Sequence, residues 1–230
     1  MVFSYGPRET DSLKGRDPRL GAVIDQVGHI SRPIDTDLFS SVVHQIVGQQ
    51  ISTKALETVW RRMQEAMGRV DAGAVTALGE EGLQSFGISY RKAGYILDFA
   101  RRVRSGQFDL DALWDMPDEE AIGALVSLKG VGVWTAEMIL LFCMERPDVF
   151  SYDDLAIQRG LRMVYHHRRI DRALFEKYRR RYSPYGSVAS LYLWAVAGGA
   201  VPGMRDYAPR KKPAQPAGKK QAPKGAGGSL

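Results

Sequence analysis

The 230-residue chain has one cysteine, Cys143. A single thiol excludes an internal disulfide and a four-cysteine iron–sulfur cluster, and it weighs against a structural zinc site. Cys143 lies in an apolar stretch, so it is expected to be buried and inert. No apolar run is long enough to span a bilayer. The opening stretch, MVFSYGPRETDSLKGRDPRL, lacks the apolar core of a signal peptide. No segment alternates apolar and polar residues as a half-buried strand does, and no unit repeats. These absences lead us to expect a soluble, intracellular, helical protein with enough chain for one or two compact domains.

Acidic residues are missing from the end of the chain. None follows Asp206, whereas Arg210, Lys211, Lys212, Lys219, Lys220 and Lys224 do. Those six account for the whole formal charge of +6, and the remaining body is neutral. Bulk charge is therefore no evidence for a basic nucleic-acid face. The local clusters Arg101-Arg102-Arg104 and His166-His167-Arg168-Arg169 read first as solvated helix faces. Residues 208–230 are rich in Pro, Gly, Ala and Lys, a composition that buries too little to offset its ordering entropy. They are expected to form a disordered basic tail behind a folded body of residues 1–207.

What is present is helical periodicity. Residues 1 to 15 look irregular. Asp17-Pro18 opens a helix carrying Leu20, Val23, Ile24 and Val27, which Pro33 breaks. Leu38 to Val47 is a second. Ser52 caps a third, with Leu56, Val59, Trp60, Met63 and Met67 on one face. A short helix runs from Glu80 to Phe86, and Ser89 caps the next. Pro117 with Asp118, Glu119 and Glu120 starts another and leads to Leu128. Asp171 caps a basic helix, and the last runs from about Ser187 to Ala197.

The stretch from Leu128 to Gln158 carries the chemistry. Gly130 and Gly132 flank Val131 just before a helix whose first-turn amides have no partner of their own. A phosphate can approach such a bare turn closely. The helix begins at Trp134-Thr135-Ala136, is apolar through Cys143, and is expected to end at Arg146-Pro147. Asp153-Asp154 then opens the next helix. Asp153 is the better N-cap candidate, which leaves Asp154 free to face a cleft. Leu155, Ile157, Leu161 and Val164 continue that helix. Upstream, Gln49 and Gln50 occupy a short interhelical loop, where two glutamines are hard to explain as core.

This combination resembles the helix-hairpin-helix DNA glycosylase superfamily, in particular its alkyl-base branch, the 3-methyladenine DNA glycosylase II type. The resemblance covers roughly residues 20 to 200. It implies an all-α fold of two helical lobes with a central cleft, bordered by the hairpin and Asp154. Asp154 falls at the catalytic aspartate. Gly130, Val131, Gly132 and Thr135 fall in the DNA-binding hairpin, and Gln50, with Gln49, falls at the wedge that fills the space of an extruded base. Trp134, Met138 and Trp194 fall in the base pocket. A pocket tyrosine of that branch is replaced by Met138, and an arginine by Gly186, both changes expected to widen the pocket. Members that also cut the backbone carry a lysine where this chain has Trp134. The resemblance therefore implies a monofunctional N-glycosylase without lyase activity, acting as a monomer on double-stranded DNA that contains alkylated bases. It implies no cofactor beyond a monovalent cation at the hairpin, no protein-ligated metal and no membrane, and a cytoplasmic location, on the nucleoid in a prokaryote. The competing readings are a non-catalytic helix-hairpin-helix DNA-binding module and an oxidised-base glycosylase.

Overall fold

The computed structural model describes residues 1–209, so all but the first two residues of the expected tail lie outside the described residues. Among those described there are twelve helices and no strand, only an isolated bridge between Val2 and Pro33. None of these helices is long and apolar enough to cross a membrane.

The helices form two groups. The first and last parts of the chain make one: α1 (Pro7–Arg16), α2 (Pro18–Val27), α10 (Leu155–Tyr165), α11 (Arg172–Tyr182) and α12 (Gly186–Ala197) pack on one another. The middle of the chain makes the other: α3 (Leu38–Gly48), α4 (Thr53–Met67), α5 (Ala72–Gln84), α6 (Tyr90–Arg104), α8 (Asp118–Val126) and α9 (Val133–Phe142). A short helix, α7 (Ala112–Asp115), precedes α8. Two segments cross between the groups, residues 28–37 and residues 143–154. This is the expected all-α, two-lobed architecture.

The caps explain most starts. Asp17, Asp37, Ser52, Ser89 and Asp171 each accept a first-turn amide of the helix that follows, which satisfies donors the helix cannot pair itself. Four expectations need correction. Residues 7–16 are helical, not irregular. Their N-cap is Gly6, with Pro7 at the first position and Glu9 reaching back to the Gly6 amide at 2.8 Å, so the usual capping residue is missing. The segment before Glu80 is also helical, because Asp71 caps α5 and Gly79 only kinks it at φ +68°. The helix α2 ends at Gly28, before Pro33. Finally, α9 ends at Phe142, four residues before Arg146, as Glu145 turns left-handed at φ +50°. Arg146 instead spends its guanidinium on the carbonyls of Trp114 and Met116, both at 2.9 Å, at the end of α7.

Of the two basic clusters, Arg101, Arg102 and Arg104 lie in the last turn of α6, where cations suit the helix dipole. Arg102 also bonds the Ser127 carbonyl at 3.1 Å.

Candidate active site

The hairpin joins α8 to α9. Gly130 has φ +85°, and a Cβ built on it would lie 2.4 Å from Cδ2 of Tyr95. The fold itself requires glycine there. Val131 is buried and its amide is already bonded to the Leu128 carbonyl at 3.1 Å. Thr135 is buried as well. Gly132 differs from Gly130. Its φ of −95° suits any residue, and a Cβ there would meet nothing within 4 Å. As N-cap of α9 it supplies no side chain, so the amides of Val133 and Trp134 stay uncapped beside open space.

Asp154 is the N-cap of α10, which overturns the expectation that Asp153 would cap and leave Asp154 free. Its Oδ1 accepts the amides of Ala156 at 2.8 Å and Ile157 at 2.9 Å. Its Oδ2 accepts the indole N–H of Trp134 at 2.9 Å. A carboxylate has roughly four acceptor sites, and three are used, so Oδ2 keeps one unspent. Asp154 is only 6% exposed, whereas Asp153 is exposed. Next to this carboxylate stands Leu155, an apolar side chain 79% exposed.

Trp134 is 40% exposed, so it is not a core residue. One turn along α9, Met138 is buried, and a further turn along, Phe142 stacks on Trp194 with centroids 5.5 Å apart. Trp134 thus lies at the start of α9 and Phe142, which Trp194 stacks on, at its end, about 12 Å further along the axis at 1.5 Å per residue. Beyond Phe142 lies a cavity of about 500 Å³, lined by Arg32 and Asp35 from the crossing segment and by Ser41, His44 and Gln45 from α3. The Arg32 guanidinium sits 5.1 Å over the Phe142 ring. Burial lowers the pKa of His44, against the opposing pull of Asp35, and its ring meets Trp60 edge-on. Nothing in the sequence singled out these residues. Their signal was the i, i+3, i+4 spacing of Ser41, His44 and Gln45, a polar face on an otherwise apolar helix.

The two glutamines separate. Gln49 donates its side-chain amide to the carbonyl of Gly130 at 2.7 Å, so it is spent inside the protein. Gln50 is exposed and left-handed at φ +57°, a conformation costing a residue with a Cβ roughly 1–2 kcal/mol. Gly186 is tightly packed. Its amide bonds Asp148 Oδ1 at 3.0 Å, and a Cβ there would lie 2.8 Å from that same oxygen. Its bare Cα lets the start of α12 lie against the segment that leads to Asp154. Ser187 adds to this, receiving the Val149 amide at 2.9 Å.

A glycine hairpin between two helices, a buried carboxylate capping the next helix and an indole bridging the two helical groups define a helix-hairpin-helix protein with a built acidic site. Residues 43–184 match the HhH-GPD superfamily base excision DNA repair protein family, and the chain belongs to it. The crystal structure of a DNA-3-methyladenine glycosidase from Bacillus halodurans is 32% identical with a TM-score of 0.79, over 90% of this chain and 97% of that one. The Schizosaccharomyces pombe 3-methyladenine DNA glycosylase, solved with abasic DNA, is 24% identical with a TM-score of 0.74, over 84% of this chain and 98% of that one. At that identity the likeness is one of fold. The Bacillus subtilis protein YfjP, itself assigned only provisionally as a DNA-3-methyladenine glycosylase, is 26% identical over 76% of this chain, which spans 64% of its length.

Proposed function

We propose that this protein is a monofunctional DNA glycosylase, which flips alkylated bases out of duplex DNA and hydrolyses the N-glycosidic bond to open base excision repair. The observation that carries this reading is the bond from Trp134 to Asp154, which holds a buried carboxylate with one oxygen still able to accept. A helix-hairpin-helix module that only binds DNA has no use for that arrangement.

In this reading the uncapped amides after Gly132 grip a backbone phosphate, and a monovalent cation at the hairpin would add positive charge beside it. Gln50 enters the stack as the base leaves it. Alkylation at a ring nitrogen makes a purine cationic, so the base departs with the bonding electron pair and becomes neutral. Positive charge then develops on the sugar. Asp154 Oδ2 stabilises that charge and accepts the proton of the water that adds to C1′. Aromatic faces at Trp134 and Trp194 suit a cationic ring. Trp134 offers no amine, so no Schiff base forms at that position, and the abasic strand stays intact.

The test is single-turnover base release from duplexes each holding one lesion: 3-methyladenine, 7-methylguanine, 1-methyladenine, 3-methylcytosine or hypoxanthine. Release of at least one, with an uncut abasic strand and no borohydride-trapped adduct, is expected. No release from any duplex would leave a DNA-binding module, and a trapped adduct would make the enzyme bifunctional.

A further inference from the structure

The loop between α3 and α4 is tied down at three points. Lys92, on α6, donates from Nζ to the Val47 carbonyl at 2.9 Å and to the Gln49 carbonyl. These carbonyls belong to the C-terminal end of α3, where acceptors are left over and the helix dipole is negative. Burial, and then neighbouring Arg91, lower the Lys92 pKa, so the ammonium has been drawn partly out of water to make these bonds. The third tie is the side chain of Gln49 on the Gly130 carbonyl, at 2.7 Å and 81 residues away in sequence. Between the ties stands Gln50, exposed and left-handed at φ +57°. A residue with a Cβ holds such a conformation only where its surroundings over-determine it.

We propose that Lys92 and Gln49 are positioning residues that lock the α3–α4 loop to the glycine hairpin and so preset Gln50 for base extrusion. The inference rests on the glycosylase reading above. A side chain that fills a vacated base position must enter at a fixed offset from the phosphates being gripped. The hairpin grips the phosphates, and the bond from Gln49 to Gly130 makes loop and hairpin one unit. Gln49 is thus a strut and not a second wedge. Lys92 holds the other side of the same loop, where Val47, Gln49, Gln50 and Ile51 face Ser89 and Lys92 across a cavity of about 310 Å³.

Three variants of the full chain test this: Gln49→Ala, Gln49→Glu, which keeps the shape but cannot donate, and Lys92→Met. Amide exchange without DNA should quicken in residues 49–52 for all three, and in residues 128–132 for both Gln49 variants. Release of 1-methyladenine from a fully paired duplex should slow by about tenfold or more. Release of the same lesion opposite an abasic analogue, where extrusion is easier, should stay within about twofold of wild type. Gln50→Ala should show the same split between substrates. Unchanged exchange at 128–132 in Gln49→Ala, or equal slowing on both substrates, would overturn the proposal. Failure of the glycosylase reading would show separately, as no release by wild type on any lesion. In that event 2-aminopurine paired with thymine in a fully paired duplex still reads the loop. It should brighten on binding wild type and less on binding the variants, and equal brightening would overturn the proposal.

Discussion

The indole nitrogen of Trp134 lies 2.9 Å from Oδ2 of Asp154 and joins the two helical groups at the candidate site. Trp134 lies in the first turn of the middle group's last helix, and Asp154 caps the first helix after the chain returns. With the two amides on Oδ1, this bond orients the carboxylate, and it ties one helical group to the other. Trp134→Phe keeps an aromatic face and removes only the donor. A hydrogen bond to a charged group contributes about 1.5–3 kcal/mol, so single-turnover release should slow by about tenfold or more. DNA affinity should be unchanged, because the hairpin amides remain. An unchanged rate would mean that the bond does not orient Asp154 for the chemistry.

The adjacent aspartates differ more than their sequence suggests. In Asp154→Asn the amide oxygen can still cap α10, but the NH2 group then faces the Trp134 N–H, donor against donor. Base release should fall by roughly a hundredfold or more, and the fold should lose about 1–3 kcal/mol from the unpaired buried group. Asp153 is exposed, so Asp153→Asn should stay within about 0.5 kcal/mol of wild type and keep its activity. Urea unfolding and single-turnover assays on both variants decide this. A defect in Asp153→Asn equal to that of Asp154→Asn would reverse the assignment.

Much of this was legible because caps and helical spacing are local signals. Asp17, Ser52, Ser89 and Asp171 each cap the helix that the sequence led us to expect. The glycine hairpin lies between two helices for the same local reason. What local signals do not carry depends on distant partners. Either aspartate could cap α10 by spacing alone, and an indole 20 residues upstream accompanies the choice of Asp154. Gln49, expected beside Gln50 at the wedge, is bonded to a carbonyl 81 residues away, a partner no local signal names. Leu155, read only as a continuation of the helix, is the first residue of α10 and 79% exposed. The helix α1 was missed because glycine is its cap.

The same exposure gives Leu155 a testable use. An apolar side chain beside a carboxylate can exclude water once DNA covers it, which strengthens the carboxylate's effect on a developing cation. Leu155→Ser should leave the urea midpoint nearly unchanged, since little buried area is lost. Base release should slow by about threefold to tenfold. A large stability loss would show instead that Leu155 packs in solution.

Gly130 and Gly132 should separate fold from binding. Gly130→Ala puts a Cβ against the Tyr95 ring at a positive φ and should cost about 1–3 kcal/mol in unfolding. Gly132→Ala meets open space at an ordinary φ and should unfold like wild type. If a phosphate docks on the bare Cα, that methyl group should weaken binding to any duplex, damaged or not, by about tenfold, or about 1.4 kcal/mol. Anisotropy titrations at fixed salt measure this. Wild-type affinity in Gly132→Ala would move the phosphate contact elsewhere.

The last prediction concerns acid stability and the pair of Asp17 with Arg181. Asp17 caps α2 through Oδ1, which accepts the Arg19 and Leu20 amides at 3.0 Å each, and its Oδ2 meets the Arg181 guanidinium of α11 at 2.6 Å. Burial raises the pKa of Asp17, but the Leu20 amide and Arg181 outweigh it and hold the carboxyl below its ordinary value. The unfolded chain therefore takes up this proton before the folded one does. The stability Asp17 contributes is fully present above the unfolded carboxylate pKa, about 3.9, and is lost as pH falls through the folded value. Asp17→Asn keeps the cap and loses the ion pair. It should be less stable than wild type at pH 7 by about 1–3 kcal/mol, with a gap that holds down to about pH 4–5 and closes at lower pH. Arg181→Met should show a similar narrowing, because protonation of Asp17 relieves the carboxylate left without its partner. Urea midpoints from pH 7 to pH 3 test both variants. A gap that is the same across that range would mean that the Asp17 charge does not carry the effect.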